Sequence, residues 1–104
     1  MVIAVSEILH FKVKPQERQE WLNKDAEVWT HFLAQQPGFI KKEVWLTDET
    51  SDDLTIAVWW QSNESFQAVT PEHQAEIDKR MGIFSRPSIR MELKQVSLAV
   101  ENTR

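Results

Sequence analysis

Apolar and polar residues alternate from residue 2 to residue 13. Ile3, Val5, Leu9, Phe11 and Val13 hold one phase; Val2, Ala4, Ser6, Ile8, His10 and Lys12 hold the other. A period of two predicts a strand, and the apolar residues on both phases near its start predict cover on both faces. From Pro15 the period changes. Trp21, Leu22, Val28, Trp29, Phe32 and Leu33 recur at helical spacing and predict a helix over 15–36 with one apolar face. Pro15 suits its first turn, with Gln16, Glu17 and Glu20 close behind. Pro37-Gly38 ends it, because Pro cannot continue a helix and Gly accepts a left-handed turn.

Two further strands are predicted over 39–47 and 54–61, joined by the acidic loop 48–53. Leu54, Ile56, Val58 and Trp60 line one face of the second; Thr55, Ala57, Trp59 and Gln61 line the other. Symmetric pairing about the loop sets Leu46 against Leu54 and Val44 against Ile56, and leaves Trp45 and Trp59 together on the opposite face. Ser62 is a candidate cap for a short turn with Glu64 and Phe66. Thr70-Pro71-Glu72 restarts the helix with Thr70 as cap, and Phe66, Val69, His73 and Ile77 are expected on one side. Gly82 and Pro87 bracket a linker. A last strand is expected over 88–100. Its apolar phase shifts from Ile89, Met91 and Leu93 to Val96, Leu98 and Val100. A bulge near Lys94–Gln95 produces such a shift, and so does a strand that leaves its own sheet for a partner's.

The order β-α-β-β-α-β predicts one α+β domain over 1–104. It is the ferredoxin-like arrangement, an antiparallel sheet with two helices on one face. The uncovered face would carry Ala4, Ile8, Phe39, Trp45, Ala57 and Trp59, which is too apolar for open water. A second copy of the chain is the economical cover, forming a homodimer through Trp45 and Trp59.

Composition narrows the function. The 104 residues include no cysteine, which removes disulfides, thiolate metal sites and a Cys nucleophile. A net charge of −4 argues against a nucleic-acid partner. No apolar run reaches membrane-span length, and the N-terminus lacks a basic opening region, so a cytoplasmic location is expected. With Gly38 and Gly82 as its two glycines, the chain has no phosphate-cradling loop. The three His and the carboxylates show no metal-ligand spacing, so no metal site is expected. Five Trp beside no Tyr call for a reason.

Two local motifs join the element order. Gln36-Pro37-Gly38-Phe39 lies between the first helix and second strand. Trp60-Gln61-Ser62-Asn63-Glu64-Ser65-Phe66, a W-x-S-x-x-x-F pattern, lies between the third strand and second helix. Across essentially its whole length the chain resembles the antibiotic biosynthesis monooxygenase (ABM) family of dimeric α+β barrels. The resemblance implies a pocket between helices and sheet. It also implies several activities: cofactor-free oxygenation of aromatic polyketides or quinols, haem binding or degradation, or action on small metabolites. A Trp at the end of the third strand recurs in such pockets, and Trp60 matches it. An Asn on the first strand often accompanies it; here Glu7 is the nearest polar residue.

Three residues are candidate acids or bases. Asp25 sits among Trp21, Val28, Trp29 and Phe32 on the apolar stripe; there a carboxylate is either paired or titrates upward through desolvation. His73 lies among apolar neighbours, as a packing residue, as a general base, or as an iron ligand if haem is bound. Glu7 interrupts the first strand, either meeting Arg18 or Arg90 or acting as a pocket carboxylate near Asp25. Trp60, Trp21, Trp29 and Phe66 are the candidate substrate-binding walls. No cofactor is expected, haem being the alternative that His73 leaves open. His10 and His31 read as surface residues.

Overall fold

The computed structural model describes residues 3–101. Four strands form one antiparallel sheet in the order β2-β3-β1-β4: β1 (Val5–Lys12), β2 (Phe39–Leu46), β3 (Asp53–Trp60) and β4 (Arg90–Gln95). The helices are α1 (Pro15–Asp25), a π turn (Ala26–Thr30), α2 (His31–Ala34), α3 (Asn63–Gln67) and α4 (Pro71–Lys79), followed by a 3-10 turn at Gly82–Phe84. This is the expected α+β ferredoxin-like fold. The core lies between helices and sheet, where Val5, Leu54, Ile56, Val58 and Trp60 meet Trp21, Val28, Phe32, Val69 and Ile77.

Local chemistry explains most boundaries. The Ser62 hydroxyl accepts the Ser65 N–H at 3.1 Å and the Thr70 hydroxyl accepts the His73 N–H at 3.2 Å, so both expected caps form. Gly38 has φ +85°, and a Cβ built there would run into the Ser65 hydroxyl; a left-handed turn and a close approach both require glycine at this point. The β2–β3 hairpin pairs Val44 with Ile56 and Leu46 with Leu54, as symmetric pairing predicts. Trp45 and Trp59 lie edge to face on the open side, 6.1 Å apart.

Five expectations need correction. The helix predicted over 15–36 holds a π turn, with the His31 N–H bonded to the Ala26 carbonyl, and periodicity alone does not reveal the extra residue. Phe39, expected on the open face, packs edge-on against Trp60 at 6.0 Å. The register slips between Phe39 and Lys41, so Ile40 is a bulge residue and Phe39 turns to the helix side. His73, expected on the apolar side of its helix, is exposed; its ring packs edge to face with Phe32, at 5.3 Å between centroids. The last strand ends at Gln95 rather than 100. Val96 still bonds the Ala4 carbonyl at 2.8 Å, and beyond it Leu98 and Val100 are 80% and 84% exposed. The first strand begins at Val5 rather than residue 2, and Val2 lies outside the described residues.

Candidate functional site

The alternation of β1 and β3 sends Glu7, Leu9, Phe11, Ile56, Val58 and Trp60 toward the helices. They form the floor of a cavity of about 410 Å³ whose opposite wall includes Trp21, Asp25, Trp29, Leu33, Phe66 and Val69. That volume suits a small organic molecule. The wall is mainly aromatic and aliphatic, with a few polar groups. Trp21 is fixed by its indole N–H, which donates to the Phe84 carbonyl at 2.9 Å. Arg86 also lines the cavity; its Nη1 donates to the Lys12 carbonyl at 2.7 Å and to Glu17 Oε1 at 3.0 Å.

Asp25 is buried and paired. Lys42 Nζ lies 2.5 Å from Asp25 Oδ2 and 2.8 Å from Thr30 Oγ1. The pair is closed off from water, with the Lys42 side chain 7% and the Asp25 side chain 6% exposed. The π turn makes this triad. Residues five apart point well away from each other in an α-helix, whereas a turn closed by an i→i+5 bond brings Asp25 and Thr30 toward one side. Sequence reasoning missed Lys42. The signal was present: the same symmetric pairing that sets Val44 against Ile56 sets Lys42 against Val58, facing the helices.

Glu7 differs. It is half-buried in the cavity floor, and it meets neither Arg18 nor Arg90. Arg18 reaches the Ser51 carbonyl at 2.8 Å, and Arg90 pairs with Glu92 at 3.0 Å. The polar partner of Glu7 is the Trp60 indole N–H, through a long 3.4 Å hydrogen bond to Oε1. Burial pushes the Glu7 carboxyl above its ordinary value, and the indole contact offsets this only in part.

The structure therefore brings Glu7, Asp25, Trp60, Trp21, Trp29 and Phe66 to one cavity and leaves His73 off its wall. Among the described residues no histidine lines the cavity. It offers no imidazole to a haem iron, so the lining does not fit the haem arrangement that His73 left open. No group of three or more His, Cys, Asp and Glu among the described residues is placed to hold a metal ion. No described helix is long and apolar enough to cross a membrane.

A sheet of this order, with one helix-covered face and a ligand-sized cavity beneath the helices, defines a small α+β protein of the ferredoxin-like class. The antibiotic biosynthesis monooxygenase family model matches residues 4–79, and the chain belongs to that family. Among solved structures, a monooxygenase of Streptomyces coelicolor in complex with nanaomycin D is similar, with TM-score 0.72 and 13% identity over 98% of this chain and 94% of that one. A haem-degrading protein of Mycobacterium tuberculosis has TM-score 0.69 and 21% identity over 98% and 100%. SnoaB, a cofactor-independent oxygenase of Streptomyces nogalater, has TM-score 0.60 and 14% identity over 99% and 100%. At these identities the likeness is one of fold. No curated protein matches the sequence.

Proposed function

We propose that the protein is a cofactor-independent monooxygenase of an aromatic or quinol-type small molecule, with Glu7 as its base. One observation carries the reading: a half-buried carboxylate, with no cation partner among the described residues, stands in a mainly apolar cavity beside an indole N–H. Desolvation makes Glu7 a stronger base than an exposed carboxylate and places it against the substrate's acidic proton. Trp60 holds the ring from the floor, and Trp21, Trp29 and Phe66 form the opposite wall. Asp25 is engaged by Lys42 and serves as a positioning residue. His73 has no part.

The electron balance is simple for a ring CH₂ flanked by aromatic rings. Glu7 takes one proton and leaves a carbanion. The carbanion gives its electrons to O₂, and C–O bond formation yields a hydroperoxide. Loss of the second C–H proton and cleavage of the O–O bond release water, so CH₂ plus O₂ becomes C=O plus H₂O. Positioning and desolvation are the protein's contribution.

The open sheet face supports a homodimer. Trp45 is 42% exposed, and Leu98 and Val100, in the tail beyond the end of β4, are 80% and 84% exposed. A second copy laid on Trp45 and Trp59, with the tail crossing over, would bury both.

The test is O₂ uptake with anthrone, followed by quinone absorbance. Wild type is expected to turn over, and Glu7→Gln to lose about a hundredfold or more. Equal rates in the two proteins would remove Glu7 from the mechanism. Saturable quenching of Trp fluorescence by anthrone without O₂ uptake would instead identify a binding module.

A further inference from the structure

We propose that the Lys42 ammonium is the carbonyl-recognising group of the cavity, holding the C=O end of a planar conjugated ketone whose acidic CH₂ or OH group meets Glu7. The assignment rests on the reading of this cavity as a small-molecule site. Glu7 and Lys42 both pair with Val58, from β1 and from β2. They stand in one row on one face, separated at the backbone by two strand spacings, roughly 10 Å. Their side chains rise from the two ends of the same cavity floor.

An ammonium carries three N–H donors. Those of Lys42 meet Asp25 Oδ2 and Thr30 Oγ1, and the remaining one is left for the cavity it lines. A buried ion pair is seldom more stable than an apolar pair of the same size, so stability alone does not account for a Lys in a mainly apolar wall. The partner also fixes what Lys42 selects. Asp25 cancels its charge, so a ligand carboxylate gains little there. A neutral carbonyl gains a hydrogen bond from a charged donor. When the acidic group at the other end, the ring CH₂ of an oxygenation substrate or the hydroxyl of a hydroxy-ketone, loses its proton to Glu7, charge spreads through the conjugated ring onto that carbonyl oxygen. The Lys42 contact strengthens as it does so, which is the differential binding that accelerates proton removal.

The experiment compares 6-hydroxy-1-tetralone with 5,6,7,8-tetrahydro-2-naphthol, the same skeleton without the carbonyl, by quenching of Trp fluorescence. The proteins are wild type, Lys42→Met, and the Asp25→Asn/Lys42→Met double variant, which leaves no lone buried charge if the single variant fails to fold. Wild type is expected to bind the ketone about tenfold tighter than the phenol, the size of one charged hydrogen bond. The double variant loses that preference and binds the two compounds about equally. Ketone bound to wild type also shows the absorbance of its ionised form, and ketone bound to the double variant does not. A preference that survives in the double variant overturns the assignment. Phenol binding by wild type with no preference for the ketone overturns it while leaving the cavity reading intact. Failure of wild type to bind either compound overturns both.

Discussion

Glu7 on β1 and Glu92 on β4 belong to neighbouring strands and face opposite sides of the sheet. Glu92, on the open side, is ringed by partners: the His10 imidazole, with Nε2 at 2.9 Å, and the cations Arg90 at 3.0 Å and Lys94 at 3.5 Å. The His10 hydrogen bond leads in holding its carboxyl down at about 2, with Arg90 next. Glu7, under the helices, has an indole for company, and burial moves it the other way. Identical side chains one strand apart thus titrate in opposite directions, because one face brings partners and water while the other removes both. Charge on the open face is a surface network of small energetic weight. Charge on the covered face is held against desolvation and calls for a reason beyond stability.

Breaking the covered face is expected to have the largest effect. Lys42→Met strands Asp25 without its cation, and the urea midpoint at pH 7 should fall by the equivalent of about 3–5 kcal/mol. The Asp25→Asn/Lys42→Met double variant should recover most of that loss. If the single and double variants are equally unstable, the pair is not the element that matters. On the open face, Trp45→Lys with Trp59→Lys is expected to convert a dimer to a monomer in sedimentation while the monomer's helical circular dichroism persists. An unchanged mass would move the interface elsewhere.

Smaller effects separate the two carboxylates by pH. The fold favours the protonated form of Glu7. Its contribution is therefore full below the ordinary value of 4.5 and is lost as pH rises through its raised folded value. Glu7→Gln should remove that loss, making the variant more stable than wild type above neutral pH. A urea midpoint with the same pH profile in both proteins would show that Glu7 is solvated. The fold favours the ionised form of Glu92. Its contribution is present above 4.5 and is lost as pH falls toward about 2. Glu92→Gln should therefore differ from wild type slightly, with the difference fading between those values. A gap that persists below pH 2 would mean that the variant acts through packing rather than charge.

The sequence by itself determined what neighbouring residues along the chain can enforce. Alternation in 54–60 dictated a strand, and the loop before it set the register of Val44 and Leu46. Ser62 and Thr70 marked two helix starts because a cap needs only a hydroxyl and the next turn's N–H. The helical stripe was legible enough to bring Asp25, Trp21 and Trp29 to the cavity wall. Only the tertiary structure decided what depends on distant segments meeting. A π turn puts Thr30 beside Asp25, a bulge at Ile40 swings Phe39 onto Trp60, and Lys42 closes on a carboxylate from another element. Among the described residues Glu7 meets an indole rather than a cation, and His73 lies outside the cavity, for the same reason. Local periodicity fixes the direction in which a side chain leaves the backbone. What waits at its other end is set by packing, and a buried charge takes its chemistry from that partner.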